Sequence, residues 1–180
     1  GLSFYPTIVG AKIRCLLVDS QNTLWVGTTD GLFQIEQKDD QYTLYHSKKT
    51  PGNPTCLGDN NVHYLHQDTH GTIWMGTFGG GLNKLIKRAT ADSPAEFKAY
   101  TTHINGSYND IVLCIVEDKF SNLWMSSENT ISRFDVANDI LQSFNVLMGS
   151  SDSYFSEAAG IMLSTEKMLF GSNRGLYTFN

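Results

Sequence analysis

The sequence has no run of apolar residues near the roughly 18 needed for a membrane helix. Its first residues, Gly1 to Pro6, lack the charged and apolar regions of a secretory leader. Any targeting signal or membrane anchor is therefore expected outside this stretch. Basic charge is sparse: 13 Lys and Arg face 18 Asp and Glu, and the densest clusters are Lys48–Lys49 and Lys84 with Lys87–Arg88. A formal net charge of -5 with no basic patch excludes nucleic-acid phosphates and anionic membrane surfaces as expected partners. The cysteines are three, Cys15, Cys56 and Cys114, an odd number without C-x-x-C spacing, so no zinc site is expected. Nucleophile elbows, P-loops and H-E-x-x-H motifs are missing, and no helix follows Phe78–Gly81 (FGGG) to make it a phosphate loop. His63 and His66 lie three apart on an expected strand and face opposite sides, while His46, His70 and His103 fall at strand ends or turns. No metal and no cofactor are expected.

With these removed, repetition is what remains. The segments Asp19–Thr28 (DSQNTLWVGT), Asp68–Thr77 (DTHGTIWMGT) and Asp118–Ser127 (DKFSNLWMSS) align without gaps; Trp25 and Trp74 are 49 residues apart, Trp74 and Trp124 50. A degraded fourth copy, Met168–Tyr177 (MLFGSNRGLY), matches Leu24–Phe33 position by position, with Leu169 in place of the Trp and Gly171 in place of Gly27. Apolar pairs precede each Asp by six and three residues: Ile13 and Leu16, Val62 and Leu65, Val112 and Ile115. Gly-Leu or its equivalent follows at Gly31–Leu32, Gly81–Leu82, Thr130–Ile131 and Gly175–Leu176.

Each unit reads as four short strands, the first unit at about 13–18, 23–28, 31–37 and 42–47, the pattern recurring over 62–102 and 111–146. The fold class is all-β: β-propeller blades of four antiparallel strands, about 3.7 blades, a fragment of a larger, seven-bladed propeller. The expected division is a last strand of a preceding blade over 1–10, blade 1 over 11–50, blade 2 over 60–103, blade 3 over 110–147 and an incomplete blade 4 over 155–180. Asp19, Asp68 and Asp118 are expected to hold a tight turn by accepting a backbone N–H two residues on. Asn22 and Gly71 suit its positive φ, whereas Ser121 followed by Asn122 suggests a turn shifted by one in the third copy. Gly27 and Gly76 are expected where one blade's backbone approaches the next, and Trp25, Trp74 and Trp124 supply the apolar area between blades. Cys15 and Cys114 share a repeat position and are expected as small core fillers.

The pattern apolar-x-x-apolar-x-x-Asp-x-x-Gly/Asn-x-Leu/Ile-Trp-Val/Met-Gly-Thr followed by Gly-Leu resembles the two-component regulator propeller repeat, over three good copies and a weaker fourth. The Asp-box of sialidases is a neighbouring pattern. The resemblance implies the periplasmic, ligand-sensing propeller region of a hybrid two-component histidine kinase. Such regions commonly hold two seven-bladed propellers and respond to oligosaccharides from glycans. It implies that kinase activity belongs to parts not represented here and that this segment is no enzyme. Blade three departs from the pattern at Ser126–Ser127 and at Thr130–Ile131, so altered packing is expected there.

Two arrangements follow from about 3.7 blades. Residues Leu2 to Tyr5 complete the fourth blade and close a small ring, or the chain is an open arc whose edges pair with a second copy, which is the expected case. By analogy with propellers in general, a ligand is expected at the loops joining second to third strands and blade to blade. These bring Asp30, Phe78, Glu128, Asn129, Asn173 and Arg174 from the former, and Asn60, Asn61, Tyr108 and Asn109 from the latter. Two other classes compete: a propeller glycosidase or lyase, which would need clustered arginines or paired carboxylates, and a protein-binding scaffold.

Overall fold

The computed structural model describes residues 8, 10–101, 103–104, 107–108, 110–145 and 153–179. Each repeat offers four short runs rich in β-branched and aromatic residues with a turn former between them, and each folds into an antiparallel meander. The first sheet is β1 (Ile13–Val18), β2 (Leu24–Thr28), β3 (Gly31–Lys38) and β4 (Gln41–Ser47). The second is β5 (Val62–Gln67), β6 (Ile73–Thr77), β7 (Leu82–Lys87) and β8 (Glu96–Tyr100). A hairpin of two short strands, β9 (His103–Ile104) and β10 (Ser107–Tyr108), interrupts the next connection. The sequence carries the hairpin signal Asn105–Gly106 between them, but the sequence reading did not anticipate the hairpin.

The third sheet is β11 (Cys114–Glu117), β12 (Leu123–Ser126), β13 (Thr130–Asp135) and β14 (Ile140–Asn145). The last has three strands among the described residues: β15 (Phe155–Met162), β16 (Met168–Ser172) and β17 (Gly175–Phe179). The strand expected over 1–10 lies, apart from Ile8 and Gly10, outside the described residues.

The core lies between sheets. Trp25 of the first sheet packs with Val62, Leu65, Met75 and Phe97 of the second, and Trp74 of the second packs with Val112, Ile115, Met125 and Phe134 of the third. Both indoles are essentially unexposed, and burying one removes enough apolar area to contribute about 4–6 kcal/mol. Glycine at 27 and 76 is required by this closeness: a Cβ on Gly27 would stand 2.9 Å from Cγ1 of Val62, and one on Gly76 2.7 Å from Cγ1 of Val112.

The turn aspartates do more than hold a reversal. In each of three blades Oδ1 accepts from the backbone two and four residues on, as in Gln21 N (2.9 Å) and Thr23 N (3.0 Å) to Asp19. Oδ2 accepts from the indole of the tryptophan six residues on, at 2.7 Å for Asp19–Trp25, 2.7 Å for Asp68–Trp74 and 2.9 Å for Asp118–Trp124. One carboxylate thus closes the turn and fixes the ring that fills the next interface. Burial alone would raise the Asp19 carboxyl, but hydrogen bonds from Trp25, Thr23, Arg88 and Gln21 outweigh it and hold it below the usual carboxylate range. Asp118 is lowered likewise, its burial outweighed by Trp124, Asn122 and Phe120. The third turn does not shift. Ser121 itself takes φ 62°, beside 63° at Asn22 and 84° at Gly71, because the Asp118 bonds pin the same loop shape.

Candidate functional site

At the opposite end of the sheets lie the loops between second and third strands. In three of the four, the hydroxyl that ends the second strand closes the loop: Thr28 Oγ1 donates to Gly31 O (2.9 Å), Thr77 Oγ1 to Gly81 O (2.9 Å) and Ser172 Oγ to Gly175 O (3.0 Å). Backbone bonds then tie each loop to the chain entering the next blade. Gly31 N donates to Asn60 O at 2.6 Å, Gly79 N to Asp110 O at 3.0 Å, Gly81 N to Asp110 O at 2.8 Å and Phe155 N to Glu128 O at 2.9 Å. The result is a continuous rim of loops held by main chain, leaving side chains free to vary.

Of the ten expected site residues, Phe78 and Glu128 come together along one cleft of about 360 Å³, with Leu113, Tyr154, Ser156 and Glu157. Asp30 stands apart, paired with Lys48 Nζ at 2.7 Å. Asn60 and Asn173 direct their amide oxygens to loop backbone, accepting from Lys49 N (2.7 Å) and Tyr154 N (3.0 Å). Asn61 Oδ1 is buried with no hydrogen-bond partner, whereas Asn129 and Arg174 are exposed. The backbone of Tyr108 lies in β10, its side chain and all of Asn109 being outside the described residues.

The structure adds residues the sequence reading passed over. Phe78 is 42% exposed and stacks on the buried imidazole of His63, with ring centroids 5.2 Å apart. Glu157 reaches from the fourth sheet towards both His63 and Arg14. The signal was available in part: Arg14, His63 and Leu113 hold one repeat position, just after the first apolar residue of each pair. Among the described residues no group of three or more His, Cys, Asp or Glu is placed to hold a metal, and no helix is long and apolar enough to cross a membrane.

Residues 7–30 and 56–79 match the family model described as "Two component regulator propeller". The chain carries two-component regulator propeller repeats. Those two matches are the first two copies of the repeat, in which the Asp, the Trp and the Gly-Thr are all present.

Solved structures agree on the architecture. The extracellular domain of a B. thetaiotaomicron protein named as a hybrid two-component system is 21% identical over 100% of this chain and 29% of its own, with a TM-score of 0.52. A catalytically inactive virginiamycin B lyase from Staphylococcus aureus, solved with quinupristin, is 19% identical over 96% and 56%, with a TM-score of 0.62. The Porphyromonas gingivalis type-IX secretion component PorZ is 15% identical over 98% and 27%, with a TM-score of 0.69. These likenesses establish a partial β-propeller, and the chain spans less than two thirds of each of those proteins. No curated protein matches the sequence.

Proposed function

We propose that this propeller segment is the ligand-sensing part of an extracytoplasmic, periplasmic two-component sensor, that it responds to oligosaccharides derived from glycans, and that it binds without catalysing a reaction. The observation that carries this is the match of residues 7–30 and 56–79 to two-component regulator propeller repeats. The loop-rim cleft supports it: an exposed aromatic face at Phe78, a second ring at Tyr154 and the carboxylates of Glu128 and Glu157 combine stacking with hydrogen-bond acceptors, as sugars require. Binding would act by shifting the packing between blades, which the rest of the sensor reports.

The test is calorimetric titration of the chain with a panel of neutral and acidic oligosaccharides, alongside Phe78→Ala. Saturable binding that weakens in the variant is the expected result. Turnover of any of them without a stable complex would instead favour the lyase or glycosidase class, to which a structural neighbour belongs. Capture of a protein partner with no effect of any glycan would favour a scaffold.

The outer sheets offer a second contact. Leu16 (64% exposed) and Val18 (60%) on β1 and Leu176 (72%) on β17 present unpartnered apolar faces. We infer that they join copies of this chain in isolation and other blades in the whole sensor. A light-scattering mass of 20.0 kDa in solution at all concentrations would refute that association.

A further inference from the structure

Three of the four inner strands are irregular at one place, and each irregularity presents a polar side chain to the others. Pairing of β1 with β2 slips between Ile13 and Cys15, leaving Arg14 as the extra residue. Pairing of β5 with β6 slips between Val62 and Tyr64, leaving His63. In β15 the ladder lapses between Phe155 and Gly160, around Glu157, and Ala158 takes φ 52°. A bulge takes a residue out of the ladder and re-aims its side chain, a device common beside binding sites. Here it gathers groups from the first, second and fourth sheets: Arg14 Nη1 lies 3.8 Å and His63 Nδ1 3.7 Å from the Glu157 carboxylate.

Neither separation is a hydrogen bond. Arg14 Nε and both ring nitrogens of His63 are buried without a hydrogen-bond partner, and the His63 side chain is only 3% exposed. Such orphaned groups are uncommon and call for a cause. The donor count supplies one. The cluster holds a guanidinium fork and an imidazole, while its one carboxylate, on a side chain 59% exposed, reaches neither at bonding distance. An acceptor-rich group with two oxygens would satisfy the fork, which matches carboxylate geometry. The exposed face of Phe78, stacked on His63, would carry the attached ring.

We propose that Arg14 and His63 form a subsite for the carboxylate of an acidic saccharide, which enters by displacing Glu157. This rests on the saccharide-binding reading and narrows it to uronic acids.

Calorimetry with two matched pairs tests it: cellobiouronic acid against cellobiose, and digalacturonate against galactobiose. At least one acid should bind about tenfold more tightly than its neutral partner, the scale of one charge-assisted contact. Arg14→Gln should abolish that preference. Arg14→Gln should leave neutral binding unchanged, and Glu157→Gln should raise the ratio of acid to neutral affinity several-fold. Glu157→Gln also serves should Arg14→Gln fail to fold, judged by circular dichroism. Neutral sugars binding as well as acids, or an acid preference untouched by both variants, overturns the subsite and leaves saccharide binding intact. A failure of these pairs and of the whole neutral panel to bind overturns both.

Discussion

The first two joints between blades and the third are built from the same repeat position by position, yet they close differently. In the first two, a glycine (Gly27, Gly76) faces a valine (Val62, Val112) across the gap. In the third, Ser126 replaces the glycine, Phe155 takes the register position of the valine opposite the end of the second strand, and Gly160 comes against the cysteine: Cys114 Sγ meets Gly160 O at 3.9 Å as Cys15 Sγ meets Val62 O at 3.8 Å. The lids differ too. Arg88 of the second blade lies over the Trp25 ring at 5.2 Å and bonds Asp19 Oδ2 at 2.5 Å, and Tyr100 and Phe134 flank Trp74. Trp124 is only half-buried and borders an open cleft with Phe120, Met162 and Leu163. Repeats that share the Asp–Trp pair therefore give sealed joints or an open one according to what the next blade lays over the indole.

The sharpest way to break this comparison is to remove the rings. Trp74→Ala should cost about 3–5 kcal/mol in urea unfolding, the range for a fully buried large aromatic. Trp124→Ala should cost clearly less, because part of its ring already meets water. Equal losses would mean that the third joint is as sealed as the others.

A smaller effect, with opposite signs at the two sites, tests the replacement of the glycine by Ser126. Gly76→Ala drives a methyl into Val112 and should destabilise by about 1–3 kcal/mol. At the same repeat position Ser126→Ala should be neutral or stabilising, since the Ser126 hydroxyl is buried without a partner and its removal ends a desolvation cost. Thermal unfolding of the two variants decides it, and a loss at Ser126 matching that at Gly76 would dissolve the distinction.

Much of this architecture was legible because a repeat states its rules several times. The spacing of Trp25, Trp74 and Trp124 with the degraded copy at Met168–Tyr177 indicated the four blade sheets, and strand limits read from turn residues fall within a few positions of those found. The turn role of Asp19 was legible, but its bond to Trp25 was not, since a spacing of six across a hairpin says nothing of where an indole N–H points. The loop rim was placed correctly by strand order, whereas the group Arg14, His63 and Glu157 depends on bulges that no local propensity encodes. His63 was considered only as a metal ligand paired with His66, so its meeting with residues 49 before and 94 beyond it went unseen.

The smallest expected effect separates the buried histidines from the turn aspartates by pH. At the loop rim, burial keeps His63 below its ordinary range, Glu157 pulling it up and Arg14 and Lys12 pushing it down. His66 is lowered by burial against the opposing pull of Glu117 and Asp68. An imidazole that stays neutral when folded but charges when unfolded gives the unfolded chain more protons once pH drops below about 6.5, so stability falls as pH falls through that window. The turn aspartates act lower. Asp19 and Asp118, lowered when folded, add stability that is present above about 3.8 and lost as pH falls through their folded values. Urea midpoints should therefore decline in two steps on acidification. His63→Phe should weaken the first and leave the second, and a single decline confined to pH below about 4 would show that His63 and His66 carry no such linkage.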